Sequence, residues 1–168
     1  MFNVLIVDDQ PNIRRLYEYT LEKNGYRPFA AANGEEALAV LDRQHIDLMI
    51  LDVMMPVLDG YGCLKALRDG GSTVPVLIIT AKDSAEDVRK SFLLGTDDFM
   101  VKPVDEIEML LRIKALLRRS KISEEQKIVV GGTELFYDSF SVIRNGNATV
   151  LPRKEFQILF KLLSFPGK

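Results

Sequence analysis

Five polar residues end or follow separate apolar runs of this 168-residue sequence. Asp8 and Asp9 follow the first run, Asp52 lies inside a later one, and Thr80 and Lys102 come at the ends of two more. If these runs are neighbouring parallel strands, their side chains meet at one edge of a sheet, where open α/β sheets bind ligands. Folding alone would not select three carboxylates, a hydroxyl and an amine there. The pattern therefore predicts a reactive site.

The chemistry of such a site follows from its charges. Clustered carboxylates repel one another, and a hard divalent cation is the usual remedy. Mg²⁺ prefers oxygen ligands and keeps several waters, so two protein carboxylates, a backbone carbonyl and a substrate phosphate oxygen would complete its shell. Asp52 stands in the apolar stretch "IDLMILDVMMPVLDG", where an isolated buried carboxylate is costly. We predict that Asp52 is kept there as a nucleophile.

The elements that must position these residues are short apolar runs, each followed by an amphipathic stretch. Continuous hydrophobic runs indicate strands covered on both faces, and strict alternation with helices predicts an open, doubly wound, flavodoxin-like α/β fold with a five-stranded parallel sheet. The runs are Asn3 to Asp9, Arg27 to Ala32, Leu48 to Val53, Val74 to Ala81 and Asp98 to Pro103.

Composition limits the class of protein. A hydrophobic share of 47% with 27% charged residues is typical of a globular chain. The length of 168 residues suits one domain of ordinary size and a small remainder. The sequence has no bilayer-length apolar run and no basic leader, so we expect a cytoplasmic protein without a membrane partner. Its net charge of −2 gives no overall attraction to nucleic acid. Cys63 is expected to be a packing residue, and His45, the single histidine, to be solvated.

The constellation resembles the receiver domain of bacterial two-component response regulators. The likeness covers residues 1–119, and its motifs are the Asp8-Asp9 pair, "LDVMMPVLDG", "TAK" and "VKP" in order. It implies that Asp52 accepts a phosphoryl group from a sensor histidine kinase or a small phosphodonor. It also implies that Asp9, Asp52 and the main-chain carbonyl of Met54 hold Mg²⁺, with Asp8 assisting through water.

The same resemblance implies a switch. Lys102 and Mg²⁺ would neutralise charge on the transferring group, and Thr80 would turn its hydroxyl to the new phosphoryl oxygen. Phe99, three positions before the lysine, would swing inward as Thr80 moves, and the helix from Ser84 to Leu94 would repack. The Lys102–Pro103 bond is expected to be cis. Such a protein is not an enzyme with a separate substrate, although it catalyses its own phosphorylation and dephosphorylation.

Residues that the family uses for dimerisation on phosphorylation are partly altered. A homodimer through the fourth helix, fifth strand and fifth helix is expected, with the Asp98–Arg112 charge pair retained. Apolar residues replace the family's charged positions on the fourth helix, which predicts a more apolar contact. The expected interface residues are Asp98, Arg112, Glu108, Lys114, Val88 and Leu93.

A second piece follows the receiver. Residues 120–127, "SKISEEQK", are predicted to be a linker without regular structure. Residues 128–168 show short alternating strands, an "RNGNA" hairpin turn and an amphipathic helix. They resemble the antiparallel platform and first helix of the winged-helix DNA-binding domain in OmpR/PhoB-type transcriptional regulators. The sequence ends before that family's recognition helix, so we expect no specific DNA binding by this fragment, in contrast to a full-length protein.

Three other functions compete with this interpretation. A haloacid-dehalogenase-type phosphatase also uses an aspartate nucleophile with Mg²⁺, but it needs two acids spaced two apart, and positions 8 to 10 read Asp-Asp-Gln. A dinucleotide-binding enzyme is disfavoured because no glycine-rich turn follows the first strand. A receiver that acts as an interaction module without phosphorylation remains the alternative, although the complete set of acid, hydroxyl and lysine disfavours it.

Overall fold

A computed structural model describes residues 1–125, 127–137 and 139–164 of the chain. The chain divides into two compact units, Met1–Leu117 and Arg118–Lys168, and each is described by itself below.

The first unit is a parallel sheet with helices on both faces, as predicted. The five strands lie in the order β2-β1-β3-β4-β5, and every neighbouring pair is parallel. The strands are β1 (Asn3–Val7), β2 (Arg27–Ala31), β3 (Leu48–Leu51), β4 (Val76–Thr80) and β5 (Asp98–Val101). The helices are α1 (Pro11–Lys23), α2 (Gly34–Arg43), α3 (Gly60–Asp69), α4 (Ala85–Leu94) and α5 (Glu106–Glu125).

Burial explains why the three central strands read as continuous apolar runs. All residues of β3 and β4 are buried, and β1 is buried from Val4 onward. Alternate side chains of these strands belong to two separate core clusters, for example Leu51 to one and Ile50 to the other. Since side chains of a strand point alternately to opposite faces, the two clusters cover the two faces of the sheet. The edge strand β2 is more exposed, which matches its weaker sequence pattern.

Local capping sets where the helices begin. The side chains of Asn33, Asp59 and Ser84 accept hydrogen bonds from backbone N–H groups in the first turns of α2, α3 and α4. Such caps satisfy donors that the helix itself leaves unpaired. At the other end of α4, Gly95 adopts a left-handed conformation with φ of 105°, which glycine tolerates without a steric cost.

The predicted linker is wrong in its first part. Helix α5 continues to Glu125, so residues 120–125 are helical rather than irregular, and β6 begins at Lys127. The sequence from Glu106 to Gln126 has no glycine or proline to end a helix, and its lysine, arginine and glutamate residues favour helix. The division between the compact units falls after Leu117, inside this helix, whereas the receiver was predicted to end at Arg119.

The second unit contains a four-stranded antiparallel sheet and one helix. Its elements are β6 (Lys127–Val130), β7 (Thr133–Phe136), β8 (Ser141–Arg144), β9 (Asn147–Val150) and α6 (Arg153–Ser164). The predicted hairpin turn is present: Asn145 and Gly146 connect β8 and β9 with φ angles of 52° and 76°, as a two-residue turn requires. The ring of Tyr137 contacts the rings of Phe140, Phe156 and Phe160, and Phe156 is fully buried.

Candidate functional site

The sheet brings the five predicted site residues to one edge, termed the acidic site below (Asp8, Asp9, Asp52, Thr80 and Lys102). Val7 pairs with Leu51 in the register, so the residues that follow β1 and β3 leave the sheet side by side. Thr80 pairs with Val101, which places Lys102 next to the end of β4. The strand ends therefore converge as the sequence predicted.

Lys102 joins two of the carboxylates directly. Its Nζ donates to Asp8 Oδ2 at 2.7 Å and to Asp52 Oδ2 at 3.1 Å. The side chain of Lys102 is 18% exposed, and Asp8 and Asp52 are buried. Burial alone would lower the pKa of Lys102, but the hydrogen bonds and attraction from Asp8 and Asp52 outweigh it, so the pKa is raised above its ordinary value. The amine is therefore held in its charged form.

The carboxylates also fit a divalent cation. Asp8, Asp9 and Asp52 each offer an oxygen within 4.8 Å of the others, with Asp8 and Asp52 buried and Asp9 exposed. Three carboxylates and one ammonium carry a net charge of −2, which a divalent ion would balance. An all-oxygen donor set with one open, solvated side suits Mg²⁺, which retains part of its water shell. Met54, the predicted source of a carbonyl ligand, lies in the loop that follows β3, and its N–H donates to Asp52 Oδ1 over 3.4 Å.

Backbone contacts hold the two loops that carry the acids. The guanidinium of Arg14 donates to the carbonyl oxygen of Asp8 at 2.7 Å, and the N–H of Gln10 donates to Asp8 Oδ1 at 2.9 Å. On the β3 side, a Cβ added to Gly60 would lie 2.2 Å from the carbonyl oxygen of Asp52, so only glycine fits at that position. These contacts explain why a glycine ends the "LDVMMPVLDG" motif.

A shallow cavity of about 390 Å³ opens beside the acids. The lining residues are Asp9, Val53, Met54, Met55, Pro56, Asp59 and Lys82.

The two predicted switch residues, Thr80 and Phe99, belong to the neighbouring strands β4 and β5. Thr80 is fully buried, and its Oγ1 accepts a hydrogen bond of 3.4 Å from the N–H of Lys82. Phe99 is partly buried and packs against the core cluster that contains Ile78, with which it is paired in the register. The Lys102–Pro103 bond is cis, as the resemblance implied.

The residues predicted for a dimer interface are only partly brought together. Arg112 donates to both carboxylate oxygens of Asp98 at 3.0 Å and to Glu108 at 2.9 Å, all within one chain. The hydrogen bonds that Arg112 donates to Asp98 and then to Glu108 raise the pKa of its guanidinium. Leu93 is 87% exposed, Val88 is partly buried and Lys114 is exposed.

Two exposed apolar residues near these positions were missed by the sequence interpretation. Ile107 and Leu111 are 70% and 63% exposed on α5. They are four residues apart, so they lie on the same face of α5, and this face differs from the buried one that includes Met109 and Ile113. This spacing is the sequence feature from which an exposed apolar pair could have been predicted.

Comparison with known proteins decides the family. The model of the response regulator receiver domain matches residues 4–114. The chain belongs to this family. Over 99% of its length it is 37% identical to the heme response regulator HssR of Staphylococcus epidermidis and covers 74% of that protein. It is also 37% identical to the alkaline phosphatase synthesis transcriptional regulatory protein PhoP of Bacillus subtilis, covering 98% of this chain and 73% of that one.

Solved structures agree with this assignment. The receiver domain of the Francisella response regulator 1452 superposes with a TM-score of 0.69 at 34% identity, covering 71% of this chain and 99% of that one. DrrB, an OmpR/PhoB homologue from Thermotoga maritima, gives a TM-score of 0.65 at 30% identity. The superposition covers 100% of this chain and 75% of the DrrB chain. The receiver is therefore that of an OmpR/PhoB-type two-component response regulator.

The remaining chemically notable residues lie apart from the acidic site. Cys63 is buried in α3 as expected, and burial raises the pKa of its thiol to about 11. The side chain of His45 is 81% exposed and contacts Asp47. Among the helices that the structure describes, none is both long and apolar enough to cross a bilayer.

Proposed function

We propose that this response regulator accepts a phosphoryl group on Asp52 in a Mg²⁺-dependent reaction and changes conformation in response. The observation that supports this most is the bridge of Lys102 between Asp8 and Asp52, with the open Asp9 beside them. A bridge of this kind holds an attacking carboxylate and a positive charge at the same point before any donor arrives. The donor is a sensor histidine kinase or a small phosphodonor such as acetyl phosphate.

The transfer is a substitution at phosphorus. A carboxylate oxygen of Asp52 forms a new O–P bond while the P–N bond to a phosphohistidine, or the P–O bond to acetate, breaks and its electron pair leaves with the donor. Lys102 offers its ammonium to the equatorial oxygens, whose charge rises in a loose transition state. When held by Asp9, Asp52 and the carbonyl of Met54, with Asp8 assisting through water, Mg²⁺ would supply further charge neutralisation.

Reversal of the signal uses the same residues. Attack of water on phosphorus breaks the acyl phosphate and returns Asp52 as a carboxylate. The protein is then a signalling component that catalyses its own phosphorylation and dephosphorylation. The only products of a full cycle are the dephosphorylated donor and inorganic phosphate.

Thr80 and Phe99 would carry the change outward. The buried Thr80 hydroxyl lies at the end of β4 and would turn to a phosphoryl oxygen on Asp52, giving up its weak 3.4 Å contact with the N–H of Lys82. Phe99 packs on the same side of the sheet and is incompletely buried, so it has room to move inward.

The readout that we propose is a homodimer formed through α4, β5 and α5. Leu93, Ile107 and Leu111 expose apolar side chains on these helices, whereas Asp98 and Arg112 already pair within the chain. Apolar burial would therefore contribute more to the contact than intersubunit charge pairs would. By analogy with the regulators it resembles, the dimer would control transcription from the cytoplasm.

The test is the intact mass of the full chain after incubation with acetyl phosphate, with Mg²⁺ or with a chelator. The expected result is a gain of one phosphoryl group that requires the metal and is absent from the isosteric Asp52→Asn variant. A gain that persists in Asp52→Asn would place the acceptor elsewhere. No gain from acetyl phosphate or from any histidine kinase tested would favour the alternative, an interaction module that works without phosphorylation.

A further inference from the structure

Helix α4 is weakly anchored in the receiver. Of its ten residues, all of which the structure describes, only Ser91 is buried. Phe92 and Leu93 are 48% and 87% exposed, and Leu94, which packs against the core, is only partly buried, so apolar burial fixes the helix mainly at its last residue. A small number of polar contacts must therefore determine where α4 lies, and these contacts concentrate at its two ends.

At its first turn, α4 is hydrogen-bonded to a side chain of α3. The hydroxyl of Tyr61 donates to Asp87 Oδ1 at 3.1 Å, and the Tyr61 side chain is largely buried. Asp87 also accepts a hydrogen bond from the hydroxyl of Ser84, the residue that caps the helix. Burial, followed by the hydrogen bond to Asp87, raises the pKa of Tyr61, so its hydroxyl keeps its proton and remains a donor.

Two lysines from the same region lie over the Tyr61 ring. Lys90 Nζ stands 4.4 Å from the ring centroid and Lys82 Nζ 5.7 Å from it. Cations over an aromatic face are attracted by its quadrupole. The loop after β4 and the first turns of α4 therefore converge on one aromatic residue.

The other end of α4 is fixed more firmly. The guanidinium of Arg68 donates to the carbonyl oxygen of Gly95 at 3.0 Å and to that of Val74 at 2.7 Å. It also donates to the carbonyl of Ser72 and pairs with Asp97. The charge-assisted bond to Gly95 comes from a side chain that other bonds hold in place, which makes this end the natural pivot if the helix moves.

Tyr61 is itself tied to the backbone of Asp52. It follows Gly60, whose N–H donates to the carbonyl oxygen of Val53 at 2.9 Å and which packs against the carbonyl of Asp52. On the other side, only three residues separate Thr80 from the capping Ser84. The contact between Tyr61 and Asp87 thus joins the two segments that would move relative to one another when Thr80 shifts.

We propose that Tyr61, through Asp87 and Lys90, is a latch that holds the first turn of α4 in the unphosphorylated arrangement. Opening the latch lets α4 swing about its anchored end at Arg68 and Gly95. The latch sets the fraction of unphosphorylated receivers that adopt the switched state. This role in switching rests on the proposed function. Tyr61 is a positioning residue because it acts through α4 and contacts none of the residues at which the phosphoryl group would be transferred.

Hydrogen exchange on the full, unphosphorylated chain tests the latch directly. Tyr61→Phe removes one hydroxyl and keeps the ring, and Tyr19→Phe makes the same change at a tyrosine that is 64% exposed on α1. Loss of one hydrogen bond to a carboxylate should speed amide exchange about tenfold or more in residues 85–91. Lys90→Met should act in the same direction and by less. In both of these variants, exchange should not change in β3, β4 and residues 106–117. In Tyr19→Phe, exchange should not change anywhere in the chain.

Two results would overturn the latch. Unchanged exchange in residues 85–91 of Tyr61→Phe would show that the hydroxyl does not hold α4. Faster exchange across the whole receiver would show that Tyr61 supports the fold and has no specific effect on this helix.

Phosphorylation kinetics test the link to switching. If the switched state is the one that reacts, Tyr61→Phe should take up phosphoryl from acetyl phosphate faster by the factor seen in exchange. Faster exchange with an unchanged uptake rate would refute the link. If the wild-type chain takes up no phosphoryl at all, the proposed function fails, while the exchange experiment still decides the latch.

Discussion

Removing the Lys102 ammonium should destabilise the receiver, and Mg²⁺ should offset much of the loss. Lys102→Met keeps a long apolar stem and leaves Asp8 and Asp52 as buried carboxylates without their shared partner. Uncompensated buried charge is among the few causes of large destabilisation by one substitution. A divalent cation would supply positive charge at the same place, so the two perturbations should be coupled.

The magnitude follows from the distances. At 2.7 and 3.1 Å and an effective dielectric constant of about 20, each contact has a gross attraction of about 5 to 6 kcal/mol. Desolvation of the ammonium and residual hydration of the acids cancel much of this, and breaking a buried ion pair typically costs about 3 to 5 kcal/mol. Because Lys102 is 18% exposed, we expect the lower end, about 3 kcal/mol.

The assay is native-state hydrogen exchange of the buried amides in β3 and β4, which belong to the receiver unit and report its unfolding alone. The matched control is Lys65→Met, since Lys65 pairs with Asp69 at 2.8 Å but both side chains are 66% exposed. Exposed pairs of this kind are screened by solvent and contribute little to stability. A loss below about 1 kcal/mol in Lys102→Met, or a loss that Mg²⁺ leaves unchanged, would refute the electrostatic account of the site.

Three further predictions concern a strained loop residue, a thiol and the proposed interface. Val57 has a φ of 68° and is 75% exposed, so Val57→Gly should raise receiver stability by about 0.5 to 1 kcal/mol in hydrogen exchange; a decrease would contradict the strain argument. Cys63, with its pKa raised to about 11 by burial, should alkylate at pH 8 only as fast as the receiver opens; alkylation near the denatured rate would contradict its burial. Leu93→Glu should weaken dimerisation of phosphorylated chain at least tenfold in sedimentation, while Tyr19→Glu on α1 should not; equal effects would contradict the α4-β5-α5 interface.

The positions of the acidic site residues could be predicted because one feature of the sequence determines them. A run such as "LMILDV" is apolar at consecutive positions only when both faces of its strand are covered, so the end of the run marks the edge of the sheet. Asp52 and Lys102 are separated by 50 residues, yet parallel pairing brings their side chains within 3.1 Å. The order of the parallel strands therefore determines which strand-end residues meet, with little dependence on the conformation of individual side chains.

The contacts between helices could not be predicted in this way. Nothing in the spacing of Tyr61 and Asp87 shows that their side chains meet, since α3 and α4 are joined only through β4 and its loops. The Arg112 side chain illustrates the same limit, because the sequence suggests its charge partners but does not show that they lie within one chain. Side-chain pairing depends on helix rotation and rotamer, which a one-dimensional pattern does not specify.

The predicted linker failed for a related reason. Residues 120–125 are polar apart from Ile122, and this polarity was taken to indicate a loop, although Lys121, Glu124 and Glu125 favour helix when a helix already precedes them. In the second unit, by contrast, the Asn145-Gly146 turn was predictable, because few residues other than asparagine and glycine adopt positive φ without strain.

Chemical trapping of the phosphorylated side chain identifies the acceptor residue in the unmodified sequence. Borohydride reduces an acyl phosphate of aspartate to homoserine, so the chain is phosphorylated with Mg²⁺, reduced, digested and sequenced by mass spectrometry beside a sample treated with chelator. The account predicts homoserine at position 52 in the Mg²⁺ sample alone. Homoserine at position 8 or 9 in place of position 52, or equal reduction in both samples, would contradict it.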